Sequence, residues 1–200
     1  MHTDIDLSLY PRWNDSCVWR PADDGLIIFQ ISQITDEHGP APHHTVQHIF
    51  LNREGYDTWM LCTGENTIRD IVKALQKEYE GDEQAIQTDV VNMVAKMREE
   101  EFLLLEQSPC RVDFSLDENA YPRRSDDIIA NIIEDNFIVM KMTTSEVHSF
   151  NRNVEHLWNI CDGTHTVGEI LQNATNADEI SFLLHFFIKL DFLELKDSKT

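Results

Sequence analysis

Two thiols stand in matched settings, Trp59-Met60-Leu61-Cys62-Thr63-Gly64 and Trp158-Asn159-Ile160-Cys161-Asp162-Gly163, and the first question is whether they act as nucleophiles. A cysteine attacks as its thiolate, which needs a general base or a cation held against it. Neither segment places a histidine and carboxylate set for that task. A small apolar side chain just before a helix-ending glycine is a packing residue, so both cysteines read as core, with Trp59 and Trp158 as anchors beside them. Cys17 and Cys110 complete a set of four that is widely spaced and forms no CxxC pair. Reduced thiols are expected, with neither a disulfide frame nor a zinc knuckle.

Imidazoles are the second candidate chemistry. His38, His43, His44 and His48 cluster in and after Asp36-Glu37-His38-Gly39-Pro40-Ala41-Pro42-His43-His44, and imidazole with carboxylate ligates zinc, iron or copper. Pro and Gly interleave with them, so the competing reading is a solvated hairpin loop, one able to touch a partner enzyme. Carboxylates are the third. Glu99-Glu100-Glu101 ends a helical run, where negative charge opposes the helix dipole, and reads as a solvated turn rather than a general-acid pair. No triad, Gly-rich phosphate loop or ligand quartet emerges. The expectation is no catalytic residue, no metal site and no cofactor.

The elements that carry these residues occur twice. Asn52-Arg53, Trp59, Cys62, Gly64, Thr67 and Ile71 recur with unchanged spacing as Asn151-Arg152, Trp158, Cys161, Gly163, Thr166 and Ile170. Further on, Glu101-Phe102-Leu103-Leu104-Leu105 matches Asp191-Phe192-Leu193-Glu194-Leu195, with a shorter stretch before it in the second copy. Upstream of each copy lie short β-rich runs: Cys17 to Arg20, Leu26 to Ile31 and His48 to Leu51, then Ile128 to Ile133, Phe137 to Met142 and Val147 to Phe150. A helix follows over about residues 53–61 and 152–160, closed at Gly64 and Gly163, and Thr67 and Thr166 can cap a second helix. A third runs over about 83–100, with Ile86, Val90, Met93, Val94 and Met97 on one face, and over about 178–190 in the second copy. Ser32 to Val46 is a long insert before the third strand of copy one. The fold class expected is α+β: a first domain over residues 1–107, a polar linker over 108–125 and a shortened second domain over 126–200.

Composition excludes some partners. The chain of 200 residues carries 36 Asp plus Glu against 16 Lys plus Arg, a formal net charge of -20. Both halves share it, with 20 acidic and 8 basic residues in 1–107 and 16 and 8 in 108–200. Affinity for duplexes and anionic membranes comes from clustered Lys and Arg, so neither is an expected partner. No run is long and apolar enough for a membrane span, and the start lacks a signal pattern, so a cytoplasmic protein is expected.

The stretch Leu51-Asn52, Trp59 to Gly64, Thr67-Ile68, Asp70-Ile71-Val72 and Phe102-Leu103-Leu104, with its second copy at Leu157 to Thr166 and Glu169-Ile170, resembles PqqD and the wider family of RiPP recognition elements. The resemblance implies two winged-helix-like modules in tandem, each three strands and three helices. It also implies a non-catalytic function: capture of the leader segment of a ribosomally synthesised precursor peptide for a separate maturation enzyme. That partner could be a radical S-adenosylmethionine protein, a YcaO-type cyclase or a metal-dependent oxidase, and a homodimer is a further option. The leader would add as a strand beside the third strand, in the groove against the third helix. In copy one that places peptide contacts on Gln47, His48, Ile49, Phe50 and Leu51, facing Val90, Val91, Val94 and Met97. The equivalents in copy two are Val147, His148, Ser149 and Phe150, facing Leu183, Phe186, Phe187 and Leu190. A winged-helix transcription regulator shares the element order but not the basic helix it would need, and a scaffold that only holds an enzyme is the remaining alternative.

Overall fold

The computed structural model describes residues 5–35 and 43–199. They form an α+β structure in two compact units: Met1–Gln30 with His48–Phe114, and Ile31–Gln47 with Ser115–Thr200. No helix among the described residues is long and apolar enough to cross a membrane.

Unit 1 contains β1 (Tyr10–Trp13), β2 (Cys17–Ala22), the start of β3 (Gly25–Ile34), the end of β4 (His43–Asn52), α1 (Arg53–Leu61), α2 (Ile68–Glu78), α3 (Glu83–Glu99) and β5 (Leu103–Glu106). Strands 2, 3 and 4 make one sheet in that order, and β1 pairs antiparallel with β5. Apolar side chains recur at helical spacing along α2, and Ile68, Ile71, Val72 and Leu75 are all buried. They close over Trp59, Cys62, Val94 and Phe102 in a single core. Thr67 begins α2 with a reciprocal capping box to Asp70, worth about 1 kcal/mol. Gly64 is required twice over. Its φ is 82°, and a Cβ there would lie 1.9 Å from the carbonyl oxygen of Cys110.

Unit 2 repeats this plan with β6 (Tyr121–Arg124), β7 (Ile128–Ile133), β8 (Asn136–Lys141), β9 (Glu146–Asn151), α4 (Val154–Ile160), α5 (Val167–Gln172), α6 (Ala177–Lys189) and β10 (Leu193–Lys196). Strands 7, 8 and 9 form the sheet, and β6 pairs with β10. Its core gathers Trp158, Cys161, Val167, Ile170, Leu184, Phe187 and Phe192, all nearly inaccessible.

Two stretches differ from expectation. The segment read as a polar linker is structured at both ends. The Cys110 N–H donates to the Gly64 carbonyl at 2.9 Å and the Val112 N–H to that of Thr63 at 3.2 Å, while Phe114 packs on Trp13 and Trp19 with centroids 5.4 and 4.6 Å apart. Residues 121–124 then form β6. Tyr121-Pro122-Arg123 repeats Tyr10-Pro11-Arg12 of β1, so each copy starts earlier than the matched positions from Asn52 onward imply. The insert is the second case. Much of Ser32 to Val46 is strand, because β3 continues to Ile34 and β4 begins at His43; Asp36 to Pro42, His38 included, lies outside the described residues.

Candidate functional site

In each three-stranded sheet the middle strand is the second, so β4 and β9 are outer strands. An outer strand presents alternate backbone N–H and C=O groups to any strand that adds to it. Beside β4 lies a groove of about 740 Å3 formed by the end of β4, α1, the end of α2 and the first half of α3. Its apolar lining is Leu75 from α2, Ile86, Val90 and Met93 from α3, and Phe50 and Leu51 from β4. Phe50 is 52% exposed, a large ring left uncovered at the mouth of a cleft.

Tyr79 lines the groove at the end of α2, and its hydroxyl donates to the Asp57 carboxylate, which Arg53 also approaches at 3.5 Å. The bond to Asp57, followed by burial and the nearby negative charge, pushes the phenol up to about 12. It is therefore a fixed neutral donor. Glu54, Glu80 and Asp89 also line it, and among the described residues no Lys, Arg or His does.

The expected peptide contacts of unit 1 separate on inspection. Phe50 lines the groove, and Val90, only 3% exposed, belongs to its buried floor. Ile49 and Val91 are partly buried against the core. Val94 and Met97 are corrections: at 0% and 2% exposure they belong to the core, and nothing outside can touch them. Helical spacing puts them on the same face as Val90, but that face is wide, and its centre is turned inward while Ile86 and Met93 border the cleft. His48 is exposed, with its ring 5.9 Å from that of Phe29.

In unit 2 the same expectations fail for a different reason. Phe150 is half-buried within its own unit, its ring 5.2 Å from Phe187 and 6.1 Å from Phe186, and Phe187 and Leu190 are at 0% exposure. Val147, 56% exposed, alternates with the half-buried His148 and Phe150 and so lies on the opposite strand face. Leu183 lines a cleft of about 570 Å3, but one formed with Val154, Leu157, Ile170 and Ile180 of the three helices, without β9.

The start of β9 is engaged by a clasp. Glu146, its side chain 8% exposed, accepts from the His44 backbone N–H at 3.1 Å, faces the His44 ring Nδ1 at 3.2 Å and the His148 Nε2 at 2.6 Å. His44 Nε2 lies 3.5 Å from Asp191, which also pairs with Lys141 at 3.4 Å. Burial alone would raise the Glu146 carboxyl, but the hydrogen bonds from His148 and His44 outweigh it and hold it below the usual carboxylate range. His44 thus lies in β4, held by Glu146, and not in a solvated loop. No group of three or more His, Cys, Asp or Glu among the described residues is arranged to hold a metal ion.

The two matched thiols are sealed in the cores. Cys62 and Cys161 are at 0% exposure; burial drives the first far up and pushes the second up to about 12, and the Cys62 Sγ donates to the Thr58 carbonyl at 3.3 Å. Residues the sequence reading did not single out as contacts are Glu54, Tyr79, Glu80 and Asp89 in the groove and Glu146 in the clasp. Only membership of an acidic composition could have marked the four carboxylates, and nothing local marks Tyr79.

Residues 43–103 match the model of the family described as Coenzyme PQQ synthesis protein D (PqqD). This stretch runs from the start of β4 to the start of β5 and contains every residue that lines the unit 1 groove. Over it the protein is PqqD-like. Among solved structures, TbiB1 in complex with the TbiA(beta) leader peptide is similar at 20% identity, covering 46% of this chain and 93% of that one with a TM-score of 0.36. No curated protein matches the chain.

Proposed function

We propose that the protein is a peptide-binding adaptor that captures the leader of a ribosomally synthesised precursor peptide and presents the remainder to a separate modifying enzyme. The observation that carries this reading is the juxtaposition, inside the PqqD-like stretch, of the outer strand β4 with an apolar groove under α3. An extended peptide added to β4 gains backbone hydrogen bonds whatever its sequence, and the pocket between Phe50, Ile86 and Met93 supplies the choice among side chains. Unit 1 is the peptide reader and unit 2 a scaffold, since the unit 1 groove includes the end of β4 whereas the cleft of unit 2 is formed without β9. The adaptor itself is non-catalytic, and bond making falls to a radical S-adenosylmethionine, YcaO-type or metal-dependent partner. A groove with no cationic lining on a chain of net charge -20 does not suit a nucleic acid.

Fluorescence polarisation of the precursor peptide encoded beside this gene tests the reading, with and without the neighbouring enzyme. Saturable binding is expected, retained by the leader half alone and weakened about tenfold by Phe50→Ser, a change of about 1.4 kcal/mol. Ile180→Ser in unit 2 leaves it unchanged. Absence of saturable binding under both conditions overturns the proposal.

A further inference from the structure

We infer that the groove of unit 1 selects a cationic peptide, one whose apolar anchor residue is flanked on neighbouring positions by lysine or arginine. This specifies the ligand class of the adaptor reading and rests on it. Glu54 comes from the first turn of α1, Glu80 from just beyond α2 and Asp89 from α3. Three separate elements therefore converge exposed carboxylates on one apolar floor. None of the three side chains makes an ion pair or hydrogen bond among the described residues, although Arg53, close in sequence to Glu54, is paired with Asp57 instead.

The corresponding cleft of unit 2 shows that this is not a by-product of an acidic chain. Its carboxylates are committed to helix starts: Glu169 accepts from the Thr166 N–H at 2.9 Å, and Glu179 from the Asn176 side-chain amide at 3.3 Å. His156 and His165 share that lining. Of these two clefts among the described residues, that of unit 1 combines uncommitted carboxylates with the end of an outer strand.

Like charges concentrated around a low-dielectric floor focus the field into the cleft. An acidic or neutral leader would leave the carboxylates unmatched or opposed, so the rim discriminates between peptides more than it adds affinity. Side chains on an added strand alternate faces, so an anchor pointing into the groove leaves its neighbours directed toward the rim.

The test pans a phage library of short random peptides on the whole chain, then measures the enriched peptide by polarisation across a salt series. Enriched sequences are expected to place Lys or Arg beside the hydrophobic anchor. Glu54→Gln with Glu80→Gln and Asp89→Asn should weaken the peptide about tenfold at low salt and flatten its salt dependence, as three exposed pairs acting together would. Asp135→Asn with Asp178→Asn and Asp197→Asn changes net charge equally and should leave binding unaltered. Neutral or acidic enriched sequences, or equal effects of the two triple variants, overturn the inference while a Phe50-dependent peptide keeps the adaptor reading. No enrichment, or enriched peptides indifferent to Phe50→Ser, overturns both.

Discussion

Units 1 and 2 agree bond by bond in their scaffold and part company in what fills the space around it. The N–H of Gly64 donates to Pro11 at 2.9 Å and that of Gly163 to Pro122 at 3.0 Å; Ile68 donates to Leu9 and Val167 to Ala120, both at 2.9 Å; Phe102 donates to Met97 and Phe192 to Phe187, both at 2.8 Å. Around the shared tryptophan the units diverge. Trp59 has Trp19 at 5.5 Å and Trp13 at 6.2 Å, with Phe114 packed on both. In unit 2 the corresponding positions hold Ala130 and Arg124, and these line a cavity of about 560 Å3 beside Trp158. At the end of the outer strand the contrast reverses: Phe50 borders an open groove in unit 1, while Phe150 packs on the α6 aromatics in unit 2. Backbone bonds preserve a duplicated fold, while side-chain volume decides which surface of each copy stays available.

Core substitutions should break the comparison most severely. Val94→Asp and Leu184→Asp each bury an unpaired charge at a fully inaccessible site and should cost more than about 4 kcal/mol, unfolding their own unit. Calorimetry should show one transition lost and one kept, with peptide binding abolished only by Val94→Asp. Binding lost through Leu184→Asp while unit 1 still melts normally would make unit 2 the peptide reader.

The aromatic contrast predicts effects of opposite sign. Trp19→Ala should cost about 3 kcal/mol in denaturant unfolding of unit 1, whereas Ala130→Leu, which fills part of the unit 2 cavity, should gain about 1 kcal/mol.

The clasp belongs to unit 2 alone. His44→Ala removes one of the three partners of the buried Glu146 carboxylate and should cost about 2 kcal/mol. Because the folded Glu146 carboxyl is held below its ordinary range, the stability it supplies is fully present above that range and is lost as pH falls through the depressed value. Thermal melts of wild type and His44→Ala should therefore begin to converge as pH falls below the ordinary carboxylate value of about 4.3. Parallel curves would show that the clasp contributes nothing.

The smallest effect tests what the units share. The Asp70 and Glu169 N–H groups donate to Thr67 and Thr166 at 3.1 Å in each capping box, so Thr67→Ala and Thr166→Ala should each cost about 1 kcal/mol. A clear inequality in urea titrations would mean that the two scaffolds are not equivalent.

Features of short range were legible from the residue order alone. The twin caps at Thr67 and Thr166, the turns at Gly64 and Gly163 with φ of 82° in both, the meander strands and the packing role of both cysteines follow from local conformational preference and hydrophobic period. Both operate within a few residues of chain. The sequence by itself also determined the duplication and the sign of the charge. Tertiary structure alone decided that Val94 and Met97 face the core while Met93 borders a groove, since periodicity names a helix face but not what covers it. It also decided that Tyr121-Pro122-Arg123 is a strand rather than linker, because its partner β10 lies at the other end of the unit. His44 meets Glu146 across 102 residues, and Glu54, Glu80 and Asp89 reach one cleft from three elements. No local pattern marks such meetings, because they exist only once packing has brought distant segments together.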